Sequence, residues 1–340
     1  MTTEVSRKIK ETNVLMTLFV VALHTMLWEE RMWFVKVLAN MAVPVFFCIS
    51  SYLYFQKWSP TWKNYQSKFF SRIKSLYVPF LFYNALYLPY IFLKTHLLHM
   101  PDTRMLSPLS TDMITGLFLG FPIPPNTVLW YVRDLLLFVL MAPAIALMAR
   151  HIKYLTLPLT ILFLLLPHYF NYYLVFYWLP CFLFGALMAF HEAKILAVVH
   201  RAVARHRATV IISGLLFLLF FTLLLRNENT DYSPWYYYYR MTVPVVYLFC
   251  HHCFDRLMSK KIVDALAPYT FPLFCMHVVF VNFSVMSFSR FIPTAHYLLI
   301  QLLSFTTAVS VVIFLCKLLS HTKHIWPVMT GFRNHKNRRI

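Results

Sequence analysis

The chain has 340 residues, of which 60% are hydrophobic and 18% aromatic, while only 13% are charged. A soluble domain carries about 25% charged residues, and apolar surface on this scale does not fit inside one water-soluble core, so lipid is the natural solvent. The formal net charge of +19 would suggest nucleic acid in a soluble protein; here it is read as a topology signal, because basic residues collect in cytoplasmic loops beside anionic lipid, and no nucleic-acid partner is expected.

A helix needs about 20 mostly apolar residues to cross the hydrocarbon layer. Ten such segments are predicted in chain order, near 13–29, 34–55, 73–94, 127–149, 152–170, 172–190, 208–226, 235–254, 266–286 and 294–317. Arg7, Lys8 and Lys10 precede the first apolar run, and no small-residue cleavage site follows it, so it is expected to stay in place as a transmembrane helix. Prolines within the runs, such as Pro79, Pro180 and Pro272, predict kinks rather than breaks. With no low-complexity linker and no internal repeat, residues 1–340 are expected to form one integral-membrane domain. The fold class is all-α, a polytopic bundle of about ten transmembrane helices.

Placing the N-terminus in the cytosol and alternating puts 23 of the 31 basic residues on the inner side, with both termini cytoplasmic. The exceptions are Arg31, Lys36, Lys94, Arg104, Arg133, Arg226, Arg240 and Arg290. The longest outer loop is expected near 95–126, long enough to act as a lid or as a plain connector. Six cysteines lie in or beside apolar runs without a disulfide pattern. Cys250-His251-His252-Cys253 looks like a metal cluster, but no second ligand pair accompanies it, and no metal is expected.

Ionisable groups inside a membrane are costly and generally face a cavity or a partner. His24 lies five residues before Glu29, which predicts a depth of ~7 Å from the outer boundary; Arg133 and Asp134 open the fourth predicted helix, with Arg133 ~10 Å in. A neutral imidazole at His24 suits proton abstraction from an alcohol. Arg133 suits developing charge on a carbonyl oxygen, and Asp134 would orient the imidazole or pair with Arg133. The plainer alternative is a buried ion pair and one hydrogen-bonded core histidine. His277 falls mid-helix in the ninth span. On the inner side Lys57, Lys63, Lys68, Arg72 and Lys74 cluster; Lys68 and Arg72 are four apart and share a face on a helix, which suits phosphate binding or, equally, contact with anionic lipid.

These segments, in order, resemble the acyltransferase 3 family of bacterial membrane O-acyltransferases. Val20 to Thr25, closed by His24, is similar to the family's first-helix ending, and Val43 to Leu53 to its second-helix segment. Lys68 to Arg72 with Val78-Pro79-Phe80 resembles its basic motif, and Leu129 to Leu135 its leucine-tryptophan segment. Pro180 to Gly185 and Phe271 to His277 resemble later segments. The resemblance implies an acyl-coenzyme A donor, usually acetyl, on the cytosolic side, and an acceptor hydroxyl on an envelope glycan or glycolipid, in a bacterial inner membrane. It maps the family's histidine onto His24 and its two-basic motif onto Lys68 and Arg72; by the residue reading above, Arg133 and Asp134 join His24 as candidate catalytic residues and Lys74 joins the donor-binding cluster. Three departures stand out. Asn13 replaces an arginine, Ser50-Ser51 replaces a serine-glycine, and no acidic partner for the histidine appears on a late helix, so Asp134 is its substitute. Ser50 and Ser51 are expected to line the entrance of a donor channel.

Two other readings compete. A transporter or flippase is expected to show repeat symmetry and paired broken helices, and the chain has no visible repeat and five glycines. A glycan polymerase is expected to carry a longer outer loop.

Overall fold

A computed structural model describes residues 3–25, 32–97, 110–152, 175–226, 233–251, 258–293 and 296–332. Among these every regular element is helical, as the continuous apolar runs require where backbone groups find no water. In chain order the α-helices are α1 (Thr3–Thr25), α2 (Trp33–Ala39), α3 (Ala42–Phe55), α4 (Trp62–Arg72), α5 (Val78–Phe92), α6 (Thr111–Leu119), α7 (Trp130–Leu140) and α8 (Ala142–Arg150). They continue with α9 (Leu179–Phe190), α10 (Glu192–Leu224), α11 (Pro234–Cys250), α12 (Lys260–Leu266), α13 (Thr270–Phe291), α14 (Tyr297–Leu319) and α15 (Ile325–Met329).

Among the described residues five helical stretches are long and apolar enough to cross a membrane: Trp33–Phe55, Trp62–Thr95, Glu192–Leu224, Lys260–Phe291 and Tyr297–Leu319. A sixth, Thr127–Leu140 with Ala142–Arg150, is bent by 70°. The protein is thus a multi-pass membrane protein, and the ten expected spans are met in part. The expected first span is the later part of α1, the sixth a shorter apolar helix, Phe176–Phe190, and the eighth the 17-residue α11. Most of the expected fifth span, with His168, lies outside the described residues. The predicted loop near 95–126 is not wholly irregular: Ser110 accepts a hydrogen bond from the Met113 amide and starts α6, and Gly120, at φ 78°, ends it. That left-handed conformation is one that glycine adopts without a Cβ penalty.

By packing, the chain divides into two compact units. The first takes residues 1–23, 27–68 and 138–267, the second 24–26, 69–137 and 268–340.

In the first unit α3 packs along α9. Phe47 stacks on Trp178 at 5.4 Å and meets Phe138 edge-on at 5.7 Å, and Phe138 reaches Phe182 at 4.8 Å. Between lipid-facing helices such van der Waals contact replaces the hydrophobic effect as the adhesive, and aromatic pairs add about 0.5–1.5 kcal/mol each beyond area burial. The backbones approach most closely at Gly185, where a Cβ would stand 2.2 Å from the Cys48 carbonyl oxygen and 2.7 Å from Ser51 Cβ. The small residue missing at Ser51 is therefore supplied from the facing helix. Arg240, an exception to the basic-residue count, is buried in this unit. Its guanidinium donates to Tyr177 Oη (3.1 Å) and Asn40 Oδ1 (3.4 Å) and lies over the rings of Tyr177, Trp178 and Tyr236.

In the second unit α13 packs along α14 and touches α5. The π turn Ile73–Tyr77 precedes α5, whose Pro79 has no amide to donate. Tyr83 Oη donates to the Met329 carbonyl (2.9 Å), which ties α15 to α5. The close approach at Gly185 yields a direct test. Gly185→Ala is expected to destabilise by about 1–3 kcal/mol through overpacking, read as a lower unfolding midpoint in detergent; an unchanged midpoint would show that α3 and α9 are not in close contact there.

Candidate active site

The residues singled out by sequence separate between the two units. His24, Arg72, Lys74, Arg133 and Asp134 lie in the second; Lys68 lies in the first.

His24 lies near the end of α1, half-buried, where the apolar run from Val14 leaves it as the ionisable side chain. Its ring centroid is 4.8 Å from that of His277, at an interplanar angle of 58°. His277 is fully enclosed on α13. Its Nδ1 lies 2.8 Å from the Phe274 carbonyl and 3.1 Å from that of Leu273. A carbonyl only accepts, so Nδ1 carries the proton and Nε2 holds the lone pair. That Nε2 is buried and meets no hydrogen-bond partner among the described residues. The geometry thus presents a neutral imidazole of fixed tautomer beside a second imidazole. His277 was visible in the sequence as a mid-helix histidine, but its partnership with His24 spans most of the chain and no spacing rule announces it. His277 stands 14 residues before the end of α13, about 21 Å along the helix, so His24 meets the interior of a span.

Arg133 and Asp134 are 5% and 1% exposed. Arg133 Nε donates to Asp134 Oδ1 at 2.8 Å, an ion pair between sequence neighbours. Its Nη1 donates to the carbonyls of Gly120 (3.1 Å) and Pro122 (3.4 Å), and its guanidinium lies 4.7 Å from the Phe121 ring. Gly120 leaves room for this arm: a Cβ there would meet Arg133 Cδ at 3.0 Å. Of the two roles expected for Asp134, pairing with Arg133 is the one seen, and Asp134 Oδ2 meets no hydrogen-bond partner among the described residues. Arg133 holds the 120–122 turn, so its reach toward a reacting carbonyl is restricted.

Asn126 was not read as functional. Its Nδ2 donates to the Cys275 carbonyl (2.8 Å), its backbone amide donates to Asn84 Oδ1 (3.1 Å), and Asn84 Nδ2 donates to the Leu117 carbonyl (3.4 Å). The turn before α7 is thereby fastened to α13 two residues from His277. A ring path runs from Tyr131 to Phe274 (5.4 Å) and from Phe274 to His277 (6.3 Å). An asparagine opening a helix is the sequence signal that could have pointed here.

The basic cluster resolves into different tasks. Lys68 Nζ donates to the carbonyls of Tyr54 (2.8 Å) and Gln56 (2.9 Å) at the end of α3, where a cation also suits the helix dipole. Lys74 lies 4.8 Å over the Phe332 ring. Arg72 closes α4 immediately before the π turn. Ser51 is fully enclosed against Gly185. Its Oγ meets no hydrogen-bond partner among the described residues.

Two members of the metal-like quartet are described. Cys250 packs against Gly214, His251 Nε2 lies 2.7 Å from Lys8 Nζ, and His252 and Cys253 lie outside the described residues.

A family model described as an acyltransferase domain, that of acyltransferase 3, matches residues 14–319. No curated protein and no solved structure matches the chain. The match takes in His24, the Arg72 segment, the Arg133–Asp134 pair and His277, which is most of the chain, and the protein therefore belongs to the acyltransferase 3 family of membrane acyltransferases.

Proposed function

We propose that this protein moves an acyl group, acetyl in the simplest case, from cytosolic acyl-coenzyme A to a hydroxyl of a cell-envelope glycan. It would work in a bacterial inner membrane with both termini in the cytosol. The observation that carries the reading is the enclosed His24–His277 pair, 4.8 Å between centroids, inside a family of acyltransferases.

The chemistry follows from the two rings. A neutral His24 takes the proton of the acceptor hydroxyl as its oxygen attacks the thioester carbonyl carbon. The carbon–sulfur bond breaks, and the coenzyme A thiolate recovers that proton from the imidazolium, leaving an ester, a free thiol and the neutral base. His277 substitutes for the carboxylate absent from the late helices. Its ring lies against that of His24, where a neutral imidazole can stabilise the positive charge while the intermediate lasts. The Arg133–Asp134 pair acts as a brace for the 120–122 turn rather than as an oxyanion contact.

On the donor side, Arg72 offers a planar fork suited to phosphate and Lys74 a point charge. The charged nucleotide of coenzyme A would be costly to bury in hydrocarbon, so it is assigned to this cluster while the pantetheine arm carries the thioester inward. Lys68 serves the cluster by holding the end of α3.

Purified His24→Ala is expected to lose at least about 100-fold in acyl transfer while keeping its unfolding midpoint; a well-folded His24→Ala protein with normal turnover would remove His24 as the base. His277→Ala is expected to lower kcat about a hundredfold with both KM values unchanged, whereas a merely structural role would lower the unfolding midpoint and leave kcat of the folded fraction intact. For Arg72→Ala, the donor KM is expected to rise about tenfold or more with the acceptor KM unmoved. A rise confined to the acceptor would place the donor phosphates elsewhere. A protein that moves glycan across vesicles yet releases no thiol from acetyl-coenzyme A would be a transporter instead.

A further inference from the structure

The second unit holds buried polar atoms that the two imidazoles do not use. On α14, Gln301 Oε1 and Ser304 Oγ are enclosed and meet no hydrogen-bond partner among the described residues. Gln301 is 7% exposed and Ser304 0%. Some hydroxyls on these helices donate one turn back, Ser284 to Phe280 (2.6 Å), Ser289 to Val285 (2.7 Å) and Thr306 to Leu302 (2.9 Å); the fully buried Ser304 does not. An amide or hydroxyl left unmet in hydrocarbon is strongly unfavourable, since no water can stand in.

Position gives these atoms a direction. α13 and α14 are packed neighbours joined by a short connection, so they run antiparallel. Ser284 stands seven residues before the end of α13 and Ser304 seven after the start of α14, so both lie about 10 Å below the connection. Gln301 is about 6 Å below it and His277 about 21 Å. Gln301 and Ser304 share the buried face of α14 with Ala308 and Val312; Ser284 shares that of α13 with His277 and Val281. Buried polar groups therefore descend in order from the connection to the unmet Nε2 of His277.

We propose that Gln301 and Ser304, with Ser284 at the same level, form a hydroxyl-binding track by which a polyhydroxylated acceptor, a sugar, reaches the His24–His277 pair. The proposal rests on the acyltransferase reading above. Under the proposed topology the α13–α14 connection faces outward, the side where an envelope glycan is found. The Gln301 amide both donates and accepts, the Ser304 hydroxyl does the same, and Ser284 Oγ, already donating to Phe280, accepts. Such a set matches sugar hydroxyls, which are at once donors and acceptors, and suits neither an apolar chain nor an anion.

The test uses full-length protein in detergent, acetyl-coenzyme A, and polysaccharide extracted from cells that lack the protein. Gln301→Leu and Ser304→Ala are expected to raise the half-saturating polysaccharide concentration about tenfold each, with the donor KM unchanged and the unfolding midpoint unchanged or higher. Ser304→Ala changes so little volume that it is expected to fold. Binding is read separately, as polysaccharide-induced thermal stabilisation: His24→Ala is expected to keep it and the double Gln301→Leu/Ser304→Ala variant to lose it. Equal changes in donor and acceptor dependence, a fall in the unfolding midpoint that accounts for the lost activity, or unaltered polysaccharide binding by the double variant would each overturn the track. Stabilisation by polysaccharide that depends on Gln301 and Ser304, without thiol release by the wild-type protein, would support the track while overturning the acyl-transfer reading.

Discussion

A polar group enclosed in hydrocarbon has no water to fall back on, and the second unit is organised by that constraint. Arg133 cannot sit among helices alone; Asp134 neutralises it, and the carbonyls of Gly120 and Pro122 take up another of its nitrogens. Those carbonyls are available because Gly120 ends α6 in a left-handed turn that exposes them. Asn126 then joins the turn to α13 through the Cys275 carbonyl. These contacts form one chain that ties both the turn and the helix that carries His277. Breaking a buried charge pair by removing one member costs about 3–5 kcal/mol, and the neighbouring turn would be the first part to shift.

Against that background the unmet atoms stand out. In the unit that holds the imidazole pair these include His277 Nε2, Asp134 Oδ2, Gln301 Oε1 and Ser304 Oγ; in the other unit they include Ser51 Oγ.

Much of the fold was legible because lipid imposes one-dimensional rules. Apolar runs gave helices, and the family pattern was readable segment by segment, from His24 through Pro180 to His277. Span lengths were less so, since α11 and the Phe176–Phe190 helix are shorter than the apolar stretches that contain them. The site was legible by residue type and not by partner. His24 declared itself as an imidazole in an apolar run, and Asp134 sat next to its cation, yet nothing in the sequence joins residue 24 to residue 277. The contacts of Lys68 were hidden for a related reason. Four-residue spacing with Arg72 says that two side chains share a helix face, but the carbonyls of Tyr54 and Gln56 belong to another helix end, and their demand for a donor is a tertiary fact. The glycine that a family pattern would place at Ser51 is likewise met across the interface by Gly185, a compensation visible when the two helices are packed.

The replacement of a carboxylate by an imidazole has a consequence for how the site holds charge. With an acid partner, proton abstraction by His24 would create an ion pair, and the resting site would carry a net negative charge in a medium that penalises it. In the proposed mechanism the resting His24–His277 pair would be neutral, and a single positive charge would exist only between attack and thiol release. The enclosed site therefore needs no permanent counter-ion, which accords with Asp134 being engaged by Arg133 rather than turned to His24. The same logic bears on the acceptor. A neutral pair attracts no anion, so specificity has to come from hydrogen bonds to hydroxyls, the kind of contact whose loss leaves a buried group unmet and discriminates strongly. Polar side chains of neutral type, lying between the helix connection and the imidazoles, are what such a reaction requires of its surroundings.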